Sequence, residues 1–205
     1  NMIESILQCV DYPDDDAAEA LFKEIMQTTP EYRDFIIVEY NHMHNRWNYK
    51  LFAEYIESFK GWDMQQFRAH DDSLKKMETS YYELNMSRNL HPVAFCGEFS
   101  WLLNRVAADI YKDSWREKSD YLDDAVEWAR LATEICIPDL LSEYLNTYAC
   151  LLYQTDRRDE AVRIAEIAVR SLTEEQKKGF MGQKVRVDYE LMKKGRLTSE
   201  QEWIR

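Results

Sequence analysis

Histidines and carboxylates are the side chains of this sequence most able to perform acid–base or metal chemistry. Glu39 and His42 lie three residues apart, which places a carboxylate and an imidazole on one helical face, as in di-iron helix bundles. Such a site needs a second Glu-x-x-His, and the sequence contains none. His70 precedes Asp71 and Asp72, and three adjacent polar residues on a polar helix favour a solvated cluster over a catalytic pair. The histidines therefore predict neither a metal site nor a catalytic residue.

The four cysteines are the remaining candidates for redox or metal chemistry: Cys9, Cys96, Cys136 and Cys150. They are far apart and form no Cys-x-x-Cys, which excludes a zinc ribbon and a thioredoxin-type redox pair. We expect them to be small apolar residues of the core. The sequence also lacks a phosphate-binding P-loop, a dinucleotide fingerprint and a Gly-x-Ser-x-Gly elbow. It therefore predicts a protein that is not an enzyme and has no cofactor.

The charge of the chain narrows the class of partner. Its 205 residues include 38 acidic and 26 basic side chains, a net charge of −12. Proteins that bind nucleic acid usually carry the opposite charge, so we expect no nucleic-acid partner. No apolar run approaches the ~18 residues of a membrane span. The sequence begins Asn1-Met2 without the features of a signal peptide, which favours the cytoplasm and leaves the periplasm open if a leader was removed.

Helices are the elements that must position any site. Only five glycines and four prolines occur, which favours long helices with short connections. Apolar residues recur at steps of three and four along almost the whole chain, and no strand pattern competes. We predict helices at about 17–26, 31–43, 47–59, 63–87, 95–112, 119–136, 139–154, 158–171 and 174–193, and a short one from Thr198. The fold class is therefore all-α, with its clearest break at 89–92.

An internal repeat organises the second half of the chain. Leucine, asparagine, alanine and tyrosine recur at identical spacing in two segments, Leu103–Tyr111 and Leu145–Tyr153. Each segment is followed by two acidic residues and an alanine that open a second helix, Asp123–Ala125 and Asp159–Ala161. Two helices can approach closely only where a small residue occupies their crossing point. We therefore expect Ala149 and its counterparts to be buried between paired helices.

The second copy resembles a tetratricopeptide repeat (TPR) in its residues Leu145, Tyr148, Ala149 and Leu152, then Ala161, Ala165 and Ala168. The resemblance covers a good copy at about 142–172 and a fair one at about 100–136. Asp156 stands where such repeats usually have a turn glycine. The resemblance implies a TPR-like α-α superhelix of antiparallel helix pairs. We expect one domain over residues 1–205, with degenerate pairs plus one long helix at 1–90 and the TPR-like repeats at 98–195.

A narrower resemblance links residues 98–195 to the helical C-terminal region attached to some bacterial thioredoxin-fold proteins. It rests on Leu103, Asn104, Ala107 and Tyr111, then Trp128 and Ala129. This resemblance implies an alternative function, an accessory helical domain of a redox protein whose catalytic domain is not in this chain.

The TPR resemblance implies a non-catalytic module that binds a partner protein or peptide on a concave surface lined by the first helix of each pair. The residues predicted to bind the partner are Trp101, Asn104, Tyr111, Lys112, Asn146 and Tyr153. Asparagine can bond a peptide backbone in either direction, and tyrosine offers flat contact area. The alternative that Asn104 and Asn146 only bridge neighbouring helices stays open. Because only Lys112 and Arg105 are basic on this surface, a neutral or basic partner is favoured over an acidic one.

The basic stretch from Lys177 to Arg196 has a simpler interpretation. Its lysines and arginines are expected to form a solvated helix face, because runs of charge usually do.

Overall fold

The computed structural model describes residues 48–87, with side chains to residue 76, and residues 98–197. It also describes four single positions near the start: Ala20, Glu24, Gln27 and Ile37, all helical. Throughout these ranges the regular structure is helical and no strand occurs, so the all-α prediction is confirmed for them. The helices predicted at 17–26, at 31–43 and from Thr198 lie outside the described ranges.

Seven α-helices make up the described ranges. They are α1 (Tyr49–Glu57), α2 (Met64–Ser87), α3 (Phe99–Asp113), α4 (Leu122–Ile135), α5 (Leu141–Gln154), α6 (Arg158–Arg170) and α7 (Phe180–Lys193). The predicted helix at 174–193 is in fact a 3₁₀ turn, Gln176–Lys178, followed by α7. The other six begin and end within a few residues of their predicted limits.

Side-chain caps explain where the first two helices begin. The Asn48 side chain accepts a hydrogen bond from the backbone N–H of Leu51 at 2.9 Å, which satisfies one free donor at the start of α1. Asp63 and Gln66 exchange two bonds of 2.9 Å between side chain and backbone, a capping box at the start of α2. These local bonds can be read from the sequence, which is why these boundaries were predictable.

The chain divides into two compact units, Asn1–Phe99 and Ser100–Arg205. In the first unit, aromatic rings from α1, α2 and Phe99 form the described core. Phe59 lies edge-on to Tyr55 with ring centroids 4.9 Å apart, and Phe67 stacks parallel to Phe99 at 6.0 Å. The ring of His70 lies 5.1 Å from that of Phe99. Phe59 lies in the turn after α1, so dispersion and the quadrupoles of these rings pack this turn and Phe99 against α2.

The expected solvated cluster at His70 is wrong in part. His70 lies half-buried among the aromatic rings, and Asp71 is only 4% exposed. Asp72 is exposed, as expected. Helical rotation explains the difference, since adjacent residues point about 100° apart and one side of α2 packs on the aromatic core.

In the second unit, α4 contacts α5, α5 contacts α6 and α6 contacts α7, and α5 also contacts α7. The alanines predicted at helix crossings are fully buried: Ala149, Ala161, Ala165 and Ala168 have no exposed surface. Small side chains at these positions permit the close approach of α5 and α6. Trp128 and Tyr148, two of the residues that carry the resemblances, are buried as well.

The turn between α5 and α6 contains a backbone conformation that usually requires glycine. Asp156 has φ of 61°, in the left-handed region, at the position where the TPR resemblance places a glycine. Aspartate tolerates this conformation better than most residues. The turn therefore keeps its shape despite the departure from the usual sequence.

Gly182 permits a second close approach, between α7 and the 3₁₀ turn that precedes it. A Cβ atom built on Gly182 would overlap the carbonyl oxygen of Gln176 and lie 3.0 Å from the Cα of Lys177. Both obstacles are backbone atoms, so no side-chain rotation can relieve them. Gly179, three residues earlier, would place a Cβ at an ordinary 3.7 Å from the same oxygen.

We predict that Gly182→Ala lowers the free energy of unfolding by about 1–3 kcal/mol, because the added methyl group overpacks a backbone contact. At an unobstructed position in a helix, glycine to alanine would stabilise the folded protein by up to ~1 kcal/mol. At Gly182 we expect the same substitution to destabilise it. Gly179→Ala is the matched control, with an expected loss below about 1 kcal/mol. Urea unfolding followed by circular dichroism measures both, and equal stability of the two variants would contradict the packing described.

Candidate binding groove

One groove of about 260 Å³ lies within the second unit, between α3, α5 and α7. From α3 it is lined by Trp101, Asn104, Arg105, Ala108, Tyr111 and Lys112; from α5 by Glu143, Asn146, Thr147 and Cys150; and from α7 by Phe180, Met181 and Lys184. On α3 and α5 these residues recur at steps of three and four, so each helix contributes a single face. The groove therefore requires three helices that are separate in the sequence.

Five of the six residues predicted to bind a partner line this groove: Trp101, Asn104, Tyr111, Lys112 and Asn146. Tyr153, the sixth, is not among the lining residues. It is 7% exposed, and the guanidinium carbon of Arg158 lies 5.4 Å from the centre of its ring. The structure thus brings together the two equivalent asparagines of the repeat but separates their equivalent tyrosines.

A buried carboxylate joins α5 to α7 behind the groove. Asp188 is 1% exposed and accepts hydrogen bonds of 2.8 Å from Nδ2 of Asn146 and from Nζ of Lys184. The thiol of Cys150 lies 3.9 Å from the same oxygen and acts as a weak donor. Asn146 therefore bridges α5 and α7, which is the part of the open alternative that concerns this residue.

The α7 side of this site was missed by the sequence analysis. Lys184 belongs to the stretch expected to be a solvated face, and that expectation is wrong for it, because its side chain is 16% exposed. The available signal was Asp188, an acidic residue that shares a helical stripe with the apolar Val185 and Met192, both buried. A carboxylate on an apolar stripe indicates a buried polar contact, which here is the one with Lys184.

Two hydrogen-bond acceptors at the groove have no partner within the described part of the chain. They are the Oδ1 atoms of Asn104, which is 6% exposed, and of Asn146, which is 4% exposed. Asp188 accepts only, so it fixes which end of the Asn146 carboxamide carries the nitrogen. A buried acceptor without a donor costs about 1–3 kcal/mol. Both asparagines therefore keep an unused capacity to accept an N–H group.

Tyr111 forms an aromatic wall of the groove. It is buried, and its ring lies edge-on to that of Trp115 with centroids 5.9 Å apart. Burial, assisted by the nearby Cys150 thiol and Asp188 carboxylate, raises the pKa of Tyr111 far above its ordinary value of 10.0. The phenol therefore stays neutral and offers apolar contact surface with one hydroxyl group.

Glu143 is the lining carboxylate of α5. Its side chain is half-buried, and among the described residues its carboxylate accepts no hydrogen bond and lies in no ion pair. Burial raises the pKa of Glu143 above its ordinary value of 4.5, and the positive charge of Lys184 opposes this only in part. An ionised carboxylate at this place is therefore poorly compensated.

The basic side chains of the groove each lie near a carboxylate. Arg105 and Lys112 contact Asp109 on α3 at 3.3 and 3.8 Å, and Lys184 contacts Asp188. The two exposed pairs with Asp109 contribute little to stability, but they lower the local positive potential. The three basic side chains are matched in number by three carboxylates, those of Asp109, Asp188 and Glu143, so the groove region has no net charge.

Comparisons of the chain with protein-family models, with curated proteins and with solved structures find no match. Within the described residues, no three His, Cys, Asp or Glu side chains are grouped as a metal site would need. None of the described helices has the length and apolar character required to cross a membrane. The groove must therefore be interpreted from its own chemistry.

The pair between Lys184 and Asp188 yields a stability prediction. Lys184→Met is expected to lower the free energy of unfolding by about 3 kcal/mol, because it leaves the Asp188 carboxylate buried without its counter-ion. Adding Asp188→Asn removes the charge and keeps an acceptor for Asn146, so the double variant should regain stability. Chemical unfolding of both variants checks this, and additive losses would show that the two side chains do not interact.

Glu143 yields a prediction of pH dependence. Its folded-state pKa is raised, so the folded protein binds a proton more tightly than the unfolded chain, and stability falls as the pH rises through the range above 4.5. Glu143→Gln removes this penalty. We expect the variant to be more stable than the parent at neutral pH, with a difference that disappears below pH 4.5. Urea unfolding across this range measures the difference, and a constant or inverted difference would contradict the assignment.

Proposed function

We propose that this protein is a non-catalytic interaction module of TPR-like fold, and that it binds an extended segment of a partner protein in the groove between α3, α5 and α7. The observation that carries the proposal is the pair of equivalent repeat asparagines, Asn104 and Asn146. They line one groove, each more than nine-tenths buried and each with an oxygen that has no hydrogen-bond partner among the described residues.

An extended peptide supplies what these asparagines lack. Its backbone carries an N–H donor and a C=O acceptor at every residue, and carboxamide side chains can bond either group. A donor that bonds a buried, unpaired acceptor removes the cost of leaving that acceptor unpaired, which makes binding more favourable. A partner backbone is therefore a chemically suitable occupant.

Exposed apolar side chains beside the asparagines provide contact area for the side chains of such a peptide. Trp101 is 40% exposed, Met181 37% and Phe180 73%. Large aromatic and methionine side chains of this kind are enriched at protein interfaces. The cavity volume of about 260 Å³ is below the ~300–1,000 Å³ of typical small-molecule pockets, which favours a peptide lying along the groove.

The helix arrangement supports a TPR-like interpretation. Consecutive helices from α4 to α7 contact one another, with alanines at zero exposure on α5 and α6. Glu143 lies near Lys184, and further along the same two helices Asn146 bonds Asp188, so α5 and α7 run in the same direction. Alternate helices that are parallel and in contact are what a stack of helix pairs requires.

Selection from a random dodecapeptide phage library on the full chain tests this function. Ala108 lies on the groove and is half-buried, so Ala108→Trp should fill the groove without replacing a core side chain. We expect the selected peptides to bind the parent and to lose at least about tenfold in affinity for this variant, since the groove volume is occupied.

The control variant is Arg163→Trp, which adds the same indole on an exposed position of α6 outside the groove. It should bind the selected peptides as the parent does, and both variants should unfold at the parent's temperature. If no peptide is selected, or if Ala108→Trp binds as tightly as Arg163→Trp does, the groove is not the binding site.

A further inference from the structure

We infer that the groove recognises a basic side chain of the partner segment, lysine or arginine, through the Glu143 carboxylate together with the side-chain oxygens of Asn104 and Asn146. This inference rests on the function proposed above and adds the chemistry of the residue recognised. It is carried by three acceptor groups that line one groove and have no donor of their own in the described part of the chain.

Glu143 is the charged member of this set. Its carboxylate is half-buried, accepts no hydrogen bond from a described residue, and senses only the indirect charge of Lys184. A partly desolvated anion gains most from a cation that brings N–H donors, because such charge-assisted bonds are about twice as strong as neutral ones. A guanidinium or ammonium group supplies both the charge and the donors.

Asn146 lies one helical turn from Glu143 on α5, and side chains at that spacing are neighbours. Its nitrogen is already bonded to Asp188, so the oxygen is the end that remains for a ligand. Asn104 faces the same groove from α3. Both oxygens are shielded from solvent in the free protein. Rotation about χ2, a broad torsion in asparagine, would turn the Asn104 oxygen toward a bound donor, whereas the same rotation in Asn146 would break its bond to Asp188, so a donor must approach the Asn146 oxygen where it lies.

An anionic side chain fits this groove less well. The three basic lining residues are each in contact with a carboxylate: Arg105 and Lys112 with Asp109, and Lys184 with Asp188. An anion would have to compete with these partners, whereas Glu143 and the two carboxamide oxygens would repel it. The acceptors therefore select a donor-rich cation.

The charge of the whole chain acts in the same direction. A net charge of −12 attracts basic segments over long range, and this attraction weakens beyond ~8 Å at physiological ionic strength. Trp101, 40% exposed on the same groove, adds an aromatic face on which a guanidinium can stack. Long-range electrostatic attraction and the contacts within the groove thus both favour a basic residue.

The test uses two small probes, N-acetyl-arginine methylamide and its citrulline counterpart, which has nearly the same shape but no charge. Each is titrated into the ¹⁵N-labelled full chain, and the side-chain amide signals of Asn104 and Asn146 and the indole signal of Trp101 are followed. We expect the arginine probe to shift these signals with a Kd at least about tenfold lower than that of the citrulline probe.

Glu143→Gln should reduce the affinity for the arginine probe to that for citrulline. Glu166→Gln, the matched control, removes the same charge from a glutamate on α6 outside the groove and should leave the preference intact. Equal binding of both probes, no response of the groove signals, or an unchanged preference in Glu143→Gln each overturns the inference. The peptide selection tests the proposed function independently, because it does not require a basic residue.

Discussion

The close approach of α5 and α6 is the constraint on which the second half of this molecule depends. Alanines at 149, 161, 165 and 168 have no exposed surface, and only side chains of that size let two helices come so near. The resulting pair supports α7, which contacts both α5 and α6. Gly182 likewise permits a close contact with backbone atoms, because its lack of a side chain lets α7 begin directly against the Gln176 carbonyl group. Small residues therefore permit the close packing of α5, α6 and α7 in this region.

The polar network behind the groove is a consequence of that packing. Bringing α7 against α5 places Asp188 within reach of Asn146, Lys184 and the Cys150 thiol, its hydrogen-bond partners among the described residues. Burying a carboxylate is costly, and the two bonds of 2.8 Å compensate for it with little surplus stability. What the network contributes is orientation, because it holds the nitrogen of the Asn146 carboxamide and leaves the oxygen without a partner among the described residues.

The two ends of the Asn146 carboxamide have different surroundings. This reconciles two interpretations that the sequence presents as alternatives: a bridge between helices and a residue that binds the partner. Asn146 bonds Asp188 of α7 through its side-chain nitrogen, and the same residue lines the groove. One residue therefore contributes both to the packing of the helices and to the candidate site. Asn104, its equivalent, likewise retains an acceptor that has no donor in the described part of the chain. Buried polar groups that stay unsatisfied cost stability, and functional sites are among the places where proteins retain them.

The sequence by itself determined the helices, the buried alanines and the shared face of α3 and α5, because helical periodicity and residue size act locally. It placed Asn104, Asn146, Trp101, Tyr111 and Lys112 on that face without knowledge of the tertiary structure. Only the tertiary structure shows which helix lies opposite this face. Periodicity shows which residues share a side of a helix but not which helix lies opposite, so the contribution of α7 through Phe180, Met181 and Lys184 was not predictable. Tyr153 is a second residue whose surroundings could not be predicted. It repeats Tyr111 in the sequence, but its ring packs under Arg158, because the neighbour of Tyr153 is the start of α6.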